Sequence, residues 1–157
     1  INFPTPFPKK KRAPRRLTYL DRLMKYRLVL EDGGTVRMRT DSTPFRDFSL
    51  TQLELAGYQL EWETDDVRGM FPDEPWSGYE RKLVAKGAPV VGFCAVPGPA
   101  PEHVEQTAPL SLVSYLPEDL ENLDYIPFGM QGSIDNIVGY NANRRKKGLP
   151  DWRPPIV

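Results

Sequence analysis

The chain has 157 residues, enough for one compact domain with a real core, and 39% of them are hydrophobic. Its 21 Lys and Arg balance 21 Asp and Glu, which excludes an overall field that would draw the molecule onto a polyanion, so any nucleic-acid contact must come from a local patch. A single cysteine, Cys94, excludes an internal disulfide and cannot build a metal site with the lone His103, which suits a reducing cytoplasm; no run approaches the roughly 20 apolar residues of a membrane span, and the amino end is not a signal peptide.

The chain opens on Ile1-Asn2-Phe3, without Met, in what reads as the end of a strand, so a fragment is expected. Prolines gather in residues 4–14, 97–109 and 150–155, marking loops and linkers because proline fixes φ and removes a donor. The stretch 17–30 places Leu20, Leu23, Met24 and Leu28 at helical spacing. Asp32-Gly33-Gly34 breaks that pattern as a tight turn, and residues 35–40 alternate as a strand. A second helix is expected from about Pro44 to Ala56, burying Phe45, Phe48, Leu50, Leu53 and Leu55, with Gly57 as its stop. Residues 58–64 alternate again. The acidic segment 65–76 lacks periodicity and reads as a loop, 77–86 as a short helix closed by Gly87, and 88–96 as a buried strand holding Cys94. Helix and strand in alternation indicate an α/β sheet. A proline-rich linker, 98–109, carries His103 and leads to a weakly patterned extension, 110–157, with possible helices near 117–123 and 133–147.

The densest chemical signal is Lys9-Lys10-Lys11-Arg12-Ala13-Pro14-Arg15-Arg16, which Pro14 is expected to hold as an extended loop at the end of a strand. In an open α/β sheet that edge is where ligands bind. Such a cluster suits phosphates, with a logarithmic salt slope of roughly −0.9 for each duplex phosphate neutralised. A localisation signal or a solvated charge run has the same composition.

The run from Asn2 to Leu17 resembles the stretch of the tRNA (guanine-N7)-methyltransferases in which Asn-Phe-x-Asp-Pro-Trp-Pro-Lys precedes a basic segment ending Arg-Arg-Leu. Arg39-Thr40-Asp41 resembles the family's Lys-Thr-Asp, and Ser77-Gly78-Tyr79-Glu80 resembles its Thr-x-Tyr/Phe-Glu, each in the right order. The resemblance covers about residues 1–97. It implies the C-terminal half of a Rossmann-like class I methyltransferase sheet, mostly parallel with an antiparallel last strand. It also implies S-adenosylmethionine as methyl donor and tRNA as partner, with the main cofactor motifs preceding Ile1, in a missing N-terminal half or a partner subunit.

Carried over residue by residue, Asp41 is the candidate guanine contact and catalytic residue. Lys9, Ser77, Gly78, Tyr79 and Glu80 are substrate contacts, and Asn2 and Thr5 lie beside the cofactor. Lys10, Lys11, Arg12, Arg15 and Arg16 form the RNA clamp. Thr5 stands where the family has Asp, so a carboxylate expected beside the reacting base is replaced by a hydroxyl. Asp41 could instead cap the following helix, and Glu80 could be a first-turn acid. Trp62 and Trp76 read as core or loop anchors. The tail cations Arg144 to Lys147 suit either a helix C-terminus or RNA. Two functions follow: a tRNA methyltransferase, or a catalytically silent RNA-binding module or partner subunit derived from one.

Overall fold

The computed structural model describes residues 1–153; residues 154–157, the end of the third proline-rich stretch, lie outside them. Three strands form the sheet: β1 (Val36–Thr40), β2 (Tyr58–Thr64) and β3 (Val91–Pro97), in the order β1-β3-β2. β3 is antiparallel to both neighbours, pairing Val36 with Ala95 and Thr40 with Val91 on one side, and Tyr58 with Pro97 and Thr64 with Gly92 on the other. The paired strands are therefore antiparallel, and a mostly parallel sheet is not what these residues form. β1 and β2 run the same way across β3, and a parallel bridge joins Asn2 to Arg39 at the β1 edge. A register shift between Leu60 and Trp62 gives β2 one extra residue against β3, a bulge.

Among the described residues there are five α-helices: α1 (Leu20–Tyr26), α2 (Thr43–Leu55), α3 (Val67–Met70), α4 (Gly78–Val84) and α5 (Gln131–Lys146). α2 starts where expected because Ser42 accepts a hydrogen bond from the Phe45 amide through its Oγ, 3.3 Å, and Pro44 sits in the first turn. The cap is thus Ser42, not Asp41. α1 is shorter than the periodicity of 17–30 suggests. The chain turns after Arg27, whose guanidinium bonds the carbonyls of Ala56, Gly57 and Gly98, and Leu28 is left 84% exposed. α3 interrupts the expected loop 65–76, because Asp66 caps it by accepting from the Gly69 amide at 2.8 Å. No helix forms at 117–123; a 3-10 turn at Leu112–Tyr115 precedes α5 instead.

Two apolar clusters meet on α2. Leu53 and Ala56 pack with Leu20 and Leu23 of α1 and with Met38, Phe93 and Ala95 of the sheet. Phe45 and Phe48 pack with Leu112, Met130 and Ile134 of the C-terminal extension. Burying one such side chain contributes roughly 1.5–3 kcal/mol, so the extension shares a core with α2 rather than trailing from it. Cys94 is buried as expected. No helix among the described residues is long and apolar enough to cross a membrane, and no metal-ligand cluster occurs among them.

Candidate functional site

The basic run is not the extended loop that Pro14 suggested. Residues Lys10–Arg15 wind into a 3-10 helix, whose i to i+3 bonding proline interrupts less than an α-helix; the Arg12 amide reaches the Lys9 carbonyl and the Arg16 amide the Ala13 carbonyl, both at 2.9 Å. Ala13 is buried and anchors the turn, while Lys9, Lys10, Lys11, Arg12 and Arg15 are exposed.

Arg16 departs from the clamp role expected for it, because it is fully buried. Its Nε donates to the Pro6 carbonyl at 3.0 Å, Nη1 to Leu110 at 2.8 Å and Nη2 to Phe7 at 2.8 Å, and the guanidinium lies 4.2 Å from the Phe48 ring centre. Burial lowers its pKa to about 10, so it stays charged at neutral pH. It is an internal fork that ties the amino-terminal loop to the extension, and a phosphate cannot reach it.

The loop it holds is strained. Phe3 and Phe7 both have positive φ, 45° and 44°, a region disfavoured for residues with a bulky side chain. They bracket Pro4-Thr5-Pro6. The Phe3 amide donates to the Arg39 carbonyl at 2.8 Å and its ring meets Tyr79 edge-on at 5.7 Å, so the loop joins β1 and α4 at one rim. Asn2 and Thr5 are exposed, and among the described residues their side chains make no hydrogen bond.

Asp41 follows β1 at this rim and is 6% exposed. Its Oδ2 accepts from the Tyr125 hydroxyl at 2.7 Å and the Phe128 amide at 3.1 Å, whereas Oδ1 accepts no hydrogen bond among the described residues. Burial first, and then the bond to Asp41, raise the Tyr125 pKa far above the ordinary tyrosine value. Tyr79 is raised more mildly, by burial and by the Asp41 charge.

Ser77, Gly78 and Tyr79 are exposed at the start of α4, which Ser77 caps by accepting from the Glu80 amide at 3.1 Å. Replacing Ser77 by Ala is expected to cost about 1 kcal/mol of stability, measured as a lower urea midpoint with unchanged slope. Glu80 lies in the first turn but is buried; its carboxylate is bound by Arg68, with Arg39 Nη1 at 3.7 Å. Its bonds therefore run to the protein, and it holds α4 and Tyr79 in place.

Thr5, Lys9, Lys11 and Arg12 line a cleft of about 310 Å³ together with Phe128, the residue whose amide meets Asp41. Asp41 itself lines a separate cleft of about 610 Å³, with Tyr125 and Pro127, and Phe128 is the link between the two. Tyr125 and Phe128 escaped the sequence reading, since nothing local distinguishes them. Of the tail cations, Arg145 pairs with Glu121 and Asp151, and Arg144 donates to the Pro150 carbonyl, so these two have partners within the extension. Trp62 meets Phe71 at a tilt, ring centres 5.1 Å and planes 52° apart, and Trp76 covers the Arg68 guanidinium at 4.3 Å, as structural anchors do.

A rim of exposed cations thus lies beside a strained strand-end loop. The family profile described as "Putative methyltransferase" matches residues 1–93, and the chain belongs to that methyltransferase family. It is similar to the tRNA (guanine-N(7)-)-methyltransferases of Lysinibacillus sphaericus, 36% identical over 91 residues, 57% of this chain and 42% of that one. The protein of that name from Geobacillus thermodenitrificans is 38% identical over 92 residues, 55% of this chain and 41% of that one. That from Limosilactobacillus reuteri is 35% identical over 97 residues, 60% and 46% respectively. The chain spans less than half the length of these curated relatives.

Proposed function

We propose that the intact protein transfers a methyl group to guanine N7 of tRNA, and that this chain grips the RNA and presents the base. In this reading residues 1–97 are the C-terminal half of the catalytic domain, 98–109 a linker, and 110–157 an extension. The observation that carries it is the cleft that Thr5 shares with three exposed cations, Lys9, Lys11 and Arg12, and with Phe128, whose backbone amide binds Asp41.

N7 has a free lone pair on the major-groove edge, so the reaction removes no proton. S-adenosylmethionine, when bound, would supply the methyl group from its sulfonium, the C–S electron pair remaining on sulfur as the positive charge passes to the base. Positioning therefore dominates, and good alignment can supply roughly 7–11 kcal/mol of the barrier. In this reading Asn2 and Thr5, exposed and with side chains that make no hydrogen bond among the described residues, would be the residues of this chain that meet the cofactor. Asp41 Oδ1 is the proposed acceptor for guanine N–H groups, its charge offsetting that developing on the ring. Ser77, Gly78 and Tyr79 flank the base, Lys9 holds its phosphate, and Glu80 acts as a positioning residue through Arg39 and Arg68.

The test is incubation of the intact protein with unmodified tRNA and methyl-labelled cofactor. Labelled 7-methylguanosine is expected; salt-sensitive tRNA binding with no product would instead favour the silent RNA-binding module, for which the Thr5 hydroxyl is the motivating observation. Thr5→Asp should raise the single-turnover rate by roughly 10²–10³-fold, the effect of one electrostatic stabiliser worth about 2.7–4 kcal/mol. An unchanged rate would remove the carboxylate from the mechanism.

A further inference from the structure

Phe128 lies on the extension, beyond the residues matched by the family, and nothing in the proposed methyl transfer uses its ring. The Met130 amide donates to the Pro127 carbonyl at 3.0 Å, closing a turn with Phe128 and Gly129 at its centre. Gly129 has φ +80°, as the third position of a type II turn requires, and a larger residue there would be strained. Pro127 and Met130 are buried on either side, and the Phe128 amide is pinned to Asp41. A rigid, doubly anchored backbone thus holds a phenylalanine that is 62% exposed.

What it faces is specific in charge. The 310 Å³ cleft beside the ring is lined by Lys9, Lys11 and Arg12 together with Thr5 and Phe7, and no acidic side chain lines it. An apolar partner would gain nothing from three cations, and a simple anion would gain nothing from the ring. An unpaired nucleotide satisfies both, because its base has a π-face for the aromatic and its phosphate a charge for the cations.

We infer that Phe128 is a stacking platform for an unpaired nucleotide of the tRNA, and that Asp41 and Tyr125 set its position. This rests on the tRNA-binding reading above and extends it to the C-terminal extension. Stacking of this kind is tolerant of base identity, so Phe128 contributes affinity and orientation rather than sequence choice. Tyr125 is a positioning residue, since its hydroxyl shares the Asp41 oxygen that anchors the Phe128 amide.

The experiment measures binding of an unmodified tRNA transcript to the intact protein carrying Phe128→Ala, Phe128→Leu or Phe128→Tyr, alongside Lys11→Ala with Arg12→Ala. Phe128→Ala should bind roughly 5- to 150-fold more weakly, about 1–3 kcal/mol at 1.4 kcal/mol per tenfold. Phe128→Leu should lose nearly as much, and Phe128→Tyr little, with melting temperatures unchanged because the side chain is exposed. Ultraviolet crosslinking to tRNA containing 4-thiouridine should label the peptide holding Phe128 and lose that label in Tyr125→Phe. Normal binding by Phe128→Ala or Phe128→Leu, with weakened binding by the Lys11 and Arg12 variant, would overturn the stacking role while leaving the cationic interface intact. If neither set weakens binding, the tRNA-binding reading falls as well.

Discussion

Replacing Arg16 by Leu is expected to destabilise the protein by about 3–5 kcal/mol, whereas the same change at Arg12, four residues earlier, should stay within about 0.5 kcal/mol. Arg16 is enclosed and donates to the carbonyls of Pro6, Phe7 and Leu110; Leu would leave one buried and two partly buried acceptors unpaired, at up to about 1–3 kcal/mol each, partly offset by no longer burying a charge. The Pro8 carbonyl, also within reach of Arg16, keeps the Leu112 amide as donor and adds little. Lys should not rescue, because one ammonium cannot span three diverging acceptors as a planar guanidinium does. Chemical denaturation reads this directly, and equal midpoints for Arg16→Leu and the unaltered protein would disprove the role. Because Arg16 links residues 6–8 to Leu110, its loss should also release the strained Thr5 loop and lower tRNA affinity indirectly.

Replacing Lys9, Lys10, Lys11, Arg12 and Arg15 together by Ala should have the larger functional effect. All five are exposed, so stability should change little. Each phosphate neutralised contributes roughly −0.9 to the logarithmic salt slope, so the slope should flatten by up to about 4.5, and affinity near 0.15 M salt should fall at least about 100-fold. The balanced charge of the whole chain makes the result informative, since no distributed field remains to compensate. Titrations at several salt concentrations separate this from misfolding: a parallel offset with unchanged slope would mean that the five cations do not touch phosphate.

The elements most legible in the sequence were those whose periodicity is strong and local. Alternation in 35–40 and 58–64 and the apolar run 88–96 marked β1, β2 and β3, and Phe45, Phe48 and Leu53 marked α2. Insertion of β3 between the other two strands carries no local signature, since pairing is decided by contacts across many residues. Leu28 fitted a helical stripe yet is exposed, because Arg27 ends the helix by bonding carbonyls some 30 and 70 residues away. α3 was hidden by a short span, although Asp66 ahead of Gly69 was its cap.

The site was legible by type and not by environment. Nothing in Lys-Lys-Lys-Arg-Ala-Pro-Arg-Arg distinguishes the buried last arginine from its exposed neighbours; burial of Ala13 and three carbonyls aimed inward make the difference. Asp41 stood out through its neighbours Arg39 and Thr40. Its hydrogen-bond partners, Tyr125 and Phe128, lie 84 and 87 residues further on, in a segment without periodicity. Glu80 stood out in the same way, and its enclosure by Arg68 and Arg39 required the fold to bring β1 and α3 together.

The proposed function requires the rim formed by the cationic turn, the Thr5 loop and Phe128 to lie against RNA, and lysine footprinting tests that contact without altering the protein. Acetylation of the intact protein, with and without saturating unmodified tRNA, should show Lys9, Lys10 and Lys11 strongly protected by the RNA while Lys25, on α1, keeps its reactivity. Unchanged reactivity at all three lysines of the turn, in a protein that demonstrably binds the tRNA, would place the RNA elsewhere and contradict the account.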